Sequence, residues 1–127
     1  MTRTLKWLAA IGLATLSVSP ALAATASPIG SWQVNSGEAR YKVTACGGGL
    51  CAKLVWLSPE AQTAENLALL NKYVVRGAQP VSATEWAGDV TFDGNSYAGK
   101  VTLRSKNSMT LKGCSGMLCK TVEFSRI

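Results

Sequence analysis

The sequence predicts an all-β domain, and three observations carry that prediction. Apolar and polar residues alternate with period two along most of the chain, the mark of strands with one buried face. Turn residues interrupt the alternation at hairpin spacing. Four cysteines, in two groups of one pattern, follow an N-terminal export signal.

The export signal comes first. Met1 to Lys6 carries Arg3 and Lys6 and no acid, Trp7 to Val18 is apolar, and Ser19-Pro20-Ala21-Leu22-Ala23 closes the run with small residues. A basic start, a short apolar middle and an A-x-A exit make a secretory signal. The apolar run falls short of the about 20 residues that a membrane span needs. Cleavage after Ala23 leaves 104 of the 127 residues, with 24–28 as a loose leader and 29–127 as one domain. Arg3 and Lys6 leave with the signal, so the net charge falls from +6 to +4. The remaining Lys and Arg read as scattered along strands, a solvated surface rather than a nucleic-acid patch. An anionic ligand or surface fits that sign of charge. No second apolar run of spanning length follows. The expected product is a soluble, periplasmic or secreted monomer.

The strands follow in order. Ala39, Tyr41, Val43 and Ala45 alternate with Arg40, Lys42 and Thr44. Tyr97, Val101 and Leu103 alternate with Lys100, Thr102 and Arg104; Met109 and Leu111 with Ser108, Thr110 and Lys112. Leu118, Val122 and Phe124 alternate with Cys119, Thr121, Glu123 and Ser125. Ser36-Gly37, Gly47-Gly48-Gly49, Asp93-Gly94-Asn95, Lys106-Asn107 and Ser115-Gly116 punctuate them. The expected strands run near 29–35, 38–46, 50–57, 73–76, 85–92, 95–104, 108–114 and 118–126, a sandwich or a barrel. One stretch breaks the pattern: Ser58-Pro59-Glu60 opens like a helix, and Ala61, Ala64, Leu67 and Leu70 recur every three residues. A short helical segment is expected over 59–70, and a looser stretch over 77–84. Cys46-Gly47-Gly48-Gly49-Leu50-Cys51 and Cys114-Ser115-Gly116-Met117-Leu118-Cys119 share C-x-G-x-L-C, and both read as similarly stapled hairpin tips.

The stretch from Gly30 to Ile127 resembles the DUF2147 family of small exported bacterial proteins. The carrying residues are Gly30-Ser31-Trp32, Cys46-Gly47, Leu50-Cys51, Val55-Trp56-Leu57, Trp86-Ala87-Gly88, Tyr97, Gly113-Cys114, Cys119 and Phe124-Ser125-Arg126. The middle departs from the family pattern, with Glu65-Asn66 and no Arg-Pro, and Phe92-Asp93 with no Pro. The resemblance implies an eight-stranded up-and-down lipocalin-like (calycin-type) barrel, with the helical segment after the third strand, and no established activity. It also implies that Arg126 lies across the Trp32 indole. Arg126 shares the inward parity of Val122 and Phe124, and such stacking contributes about 0.5–2 kcal/mol.

Four cysteines allow three pairings. Export favours disulfides over a metal site, and with no His no metal or cofactor is expected. In an up-and-down barrel the 46–51 tip lies at the Trp32 end and the 114–119 tip at the opposite end. A disulfide spans only about 4.4–6.8 Å between Cα atoms. The expected pairs are therefore Cys46–Cys51 and Cys114–Cys119.

No enzyme chemistry is expected. Without His there is no Ser-His-Asp or Cys-His triad, and no two carboxylates are placed in one cleft as glycoside hydrolysis needs. The leading expectation is a small apolar or amphipathic ligand inside the barrel. Inward parity assigns Trp56, Phe92, Tyr97, Leu111 and Lys120 to its site, with 58–72 as a lid at the end away from Trp32. The alternative is an envelope interaction module with a solid core, binding a partner through its loops, with Leu67, Leu69, Leu70 and Tyr73 as a contact patch.

Overall fold

Strand alternation closes the chain on itself. The computed structural model describes residues 26–127, apart from Asp93 and the side chain of Phe92. The signal over 1–23 and the first leader residues lie outside the described residues. Eight strands form one closed antiparallel barrel in chain order: β1 (Gly30–Val34), β2 (Ala39–Cys46), β3 (Gly49–Leu57), β4 (Tyr73–Pro80), β5 (Glu85–Phe92), β6 (Asn95–Ser105), β7 (Ser108–Ser115) and β8 (Leu118–Arg126). Closure rests on Trp32, Gln33 and Val34 of β1, paired with Arg126, Ser125 and Phe124 of β8.

The core is the inward face of this wall. Val43, Leu50, Leu54, Val75, Val90, Val101, Met109, Leu111 and Phe124 are all buried. Burying a Leu, Val or Phe side chain contributes about 1.5–3 kcal/mol each, so the interior is the main source of stability.

The expected pairs form: Cys46–Cys51 with Cα atoms 5.9 Å apart, and Cys114–Cys119 with Cα atoms 4.0 Å apart. Two elements differ from expectation. The helical segment splits into a 3-10 turn (Pro59–Ala61) and a helix α1 (Ala64–Leu69). Thr63 causes the split, because its hydroxyl accepts from the Asn66 N–H and starts a new helix. β4 runs on to Pro80, through residues expected as loose. Gly77, at φ 69°, bends the strand without ending it, and Pro80 falls at its last position.

Candidate functional site

The barrel interior was the first candidate. Tyr41, Val43, Leu50, Val75, Leu111 and Phe124 line a wholly apolar cavity of about 30 Å3. Small-molecule sites occupy about 300–1,000 Å3, so this space is near a tenth of the smallest. Mainly aliphatic side chains fill the rest, joined by Tyr41 edge-on to Phe124 at 5.6 Å between ring centroids. Burial, and then the charge of Glu38, hold the Tyr41 phenol above its ordinary pKa.

Of the five residues expected to meet there, the four whose side chains are described do not converge. Leu111 lines the cavity. Tyr97 is half-buried opposite Val90. Phe92 ends β5 opposite Asn95, and its side chain lies outside the described residues. Trp56 is a correction. Arg40 pairs with Trp56 and Tyr41 with Leu54, so Val55 is skipped. This bulge reverses parity: Leu57 is buried inside, and Trp56 shares the outer face with Arg40, whose guanidinium carbon lies 4.2 Å from the indole centroid. Lys120 is the second correction. It keeps inward parity opposite Gly113, but it is exposed, because the wall beside it is missing.

The segment over 58–72 acts as a plug at the end away from Trp32. Ala61 is buried, Leu69 and Leu70 pack on the core, and the backbone at Asn71 and Lys72 bonds to Leu54. Of the expected patch, only Leu67 and Tyr73 stay exposed.

The opposite end is sealed by Arg126. Its guanidinium carbon sits 4.3 Å from the Trp32 ring centroid, and Trp32 is 0% exposed. The same guanidinium group donates to the carbonyls of Lys106, Ile29 and Ser27, while the Trp32 indole N–H donates to the Pro28 carbonyl. Residues 26–28, expected as a loose leader, are thus tied down. Gly30 at φ 140° leaves room for the guanidinium, since a Cβ there would stand 2.6 Å from its Nη1. Near this end, an open groove of about 360 Å3 runs between Thr84, Leu103, Arg104 and Lys106.

A feature that sequence reasoning missed lies on the β7–β8 hairpin. β1 has five residues and β8 has nine, so β1 covers only the end of β8. Among the described residues, no strand pairs with Leu118–Val122 on the side away from β7. At the tip, Met117 is 99% exposed and Leu118 81%. Leu118 keeps the parity of Phe124 yet lies beyond the barrel end. The Cys114–Cys119 disulfide joins two directly paired residues just behind this tip.

An antiparallel up-and-down barrel of eight strands, plugged at one end and sealed by Arg on Trp at the other, is a lipocalin-type fold. It is similar to the solved structure titled "Protein HP1028 from the human pathogen Helicobacter pylori belongs to the lipocalin family", with a TM-score of 0.62, 15% sequence identity, and coverage of 81% of this chain and 84% of that chain. The chain belongs to the family described as "Uncharacterized protein conserved in bacteria (DUF2147)", which matches residues 30–126. Among curated proteins, none matches the chain. Two disulfides fit an oxidising compartment, and no described helix is long and apolar enough to cross a membrane.

Proposed function

We propose that this protein is a non-catalytic, extracytoplasmic interaction module: a solid barrel that engages a partner protein through its stapled β7–β8 hairpin. The observation that carries this reading is the contrast between a cavity of about 30 Å3 inside and two fully presented apolar side chains outside. A small apolar or amphipathic ligand needs about ten times the internal space present.

The hairpin combines three properties of a docking element. Met117 and Leu118 each offer about 1.5–3 kcal/mol on burial. The uncovered edge of β8 offers backbone donors and acceptors to an extended partner segment. The disulfide fixes the tip beforehand, which lowers the entropy lost on binding. Lys120, at the middle of the open edge, opposes pairing with a second copy of the same edge.

A photoreactive side chain at position 117, expressed in the exporting cell, tests this. One crosslinked product is expected, absent when the probe is moved to Ser82 and lost in Leu118→Ser. A product that persists in Leu118→Ser, or that forms equally from position 82, overturns the reading.

A further inference from the structure

The cations are scattered over both halves of the barrel wall, as expected, but the strand acids are not: Glu85, Asp89 and Glu123 all lie on β5 and β8. Strands β1–β4 carry Arg40, Lys42, Lys53 and Arg76 and no acid. All four strands are neighbours, so these cations share one side of the barrel. Lys42 and Lys53 are direct partners across the β2–β3 ladder. Directly opposed residues sit about 4.5–5.5 Å apart, and like charges so placed destabilise a sheet. No acid on these strands relieves the repulsion.

The cations are also held in place. Arg40 lies over the Trp56 indole and donates from Nε to the Gln33 side-chain oxygen at 2.8 Å. The Lys53 ammonium lies 5.1 Å from the Tyr73 ring centroid, and Lys53 and Tyr73 are themselves cross-strand partners. Ring contacts of this kind restrain a long cationic side chain, so less rotamer entropy is lost when it meets an anion. A repulsive pair flanked by restrained cations is an arrangement completed by an external run of negative charges.

We infer that this β2–β3–β4 face binds an acidic polysaccharide. An extended peptide finds no backbone partner here, because β2, β3 and β4 are each paired on both sides. The most exposed apolar side chains, Met117 and Leu118, lie at the β7–β8 tip, whereas Val55 and Tyr73 on this wall are only about two-fifths exposed. The two disulfides fit an oxidising compartment, outside the cytoplasm where nucleic acid is concentrated. In a polyuronate the carboxylates repeat once per sugar unit, a spacing comparable with that of directly opposed residues such as Lys42 and Lys53.

Titration of the oxidised protein with polygalacturonate at low salt, followed by calorimetry, tests the inference. Binding is expected to weaken as salt rises. Lys42→Gln/Lys53→Gln should lower affinity about tenfold while melting no lower than the wild type, because the opposed charges are gone. Arg104→Gln/Lys106→Gln makes the same change in net charge elsewhere and should alter affinity less than about twofold. Three results overturn the inference: no binding of polygalacturonate, an equal loss in both double variants, or equal binding of polyglutamate, single-stranded DNA or phosphatidylglycerol vesicles.

Discussion

The first stapled tip, Cys46 to Cys51, and the second, Cys114 to Cys119, share C-x-G-x-L-C and the same disulfide span. Leu50 in the first is 5% exposed, and Leu118 in the second is 81% exposed. Both leucines keep the inward parity of their strand, so parity does not separate them. The neighbouring strand does. Leu50 sits between Ala45 of β2 and Ala78 of β4, whereas Leu118 has Ser115 on one side and, among the described residues, no strand on the other.

The turns differ as well. Gly47 and Gly48 both have positive φ, 54° and 79°, and they form the first tip, with Cys46 opposite Gly49. A type I′ turn needs positive φ at both central residues. Ser115 takes the place of Gly47 in the second copy and resists that conformation. The turn therefore moves on one residue, to Gly116 and Met117. Gly49 is consequently buried in the ladder, where a Cβ would meet the Ala78 carbonyl, and its counterpart Met117 stands in solvent. One motif yields a tip folded into the wall and a tip presented beyond it. The shared motif does not decide exposure: the adjacent strand decides it for the leucines, and the turn residues decide it for Gly49 and Met117.

The largest effect that tests this contrast is truncation of the two leucines. Leu50→Ala should cost about 2–5 kcal/mol in denaturant unfolding, as for other core truncations, while Leu118→Ala should stay within about 0.5 kcal/mol. Comparable losses would break the comparison. Removing the staples comes next. Each small loop should contribute about 2 kcal/mol by chain entropy, so Cys46→Ala/Cys51→Ala and Cys114→Ala/Cys119→Ala should lower Tm by similar amounts. Only the second pair should expose its tip to limited proteolysis, because Leu50 and Gly49 hold the first tip down. Equal cleavage at both tips would contradict the account.

Much of the fold was legible because its signals are local. Alternation and turn residues marked the strands, while the barrel topology that assigns the disulfides, and the closure of Arg126 on Trp32, came from the family resemblance. The candidate site was less legible, because it depends on register between strands. The bulge at Val55 carries Trp56 to the outer face, and nothing in Val55-Trp56-Leu57 announces it. The extension of β4 through Gly77 and Pro80 was hidden by two residues that usually punctuate. The overhang of β8 follows from the short β1, a relation between residues some 90 positions apart. The opposition of Lys42 and Lys53 likewise needs the β2–β3 register. The one local hint was the replacement of Gly47-Gly48-Gly49 by Ser115-Gly116-Met117.

The central claim is that the barrel is full and acts through its surface. Native mass spectrometry of the mature, oxidised protein from its own compartment, set against its denatured mass, tests it most directly. The account predicts one bare mass, four protons below the fully reduced chain, in both states. A companion species of a few hundred daltons, lost on denaturation and retained in Leu118→Ser, would place a ligand inside the barrel and contradict it.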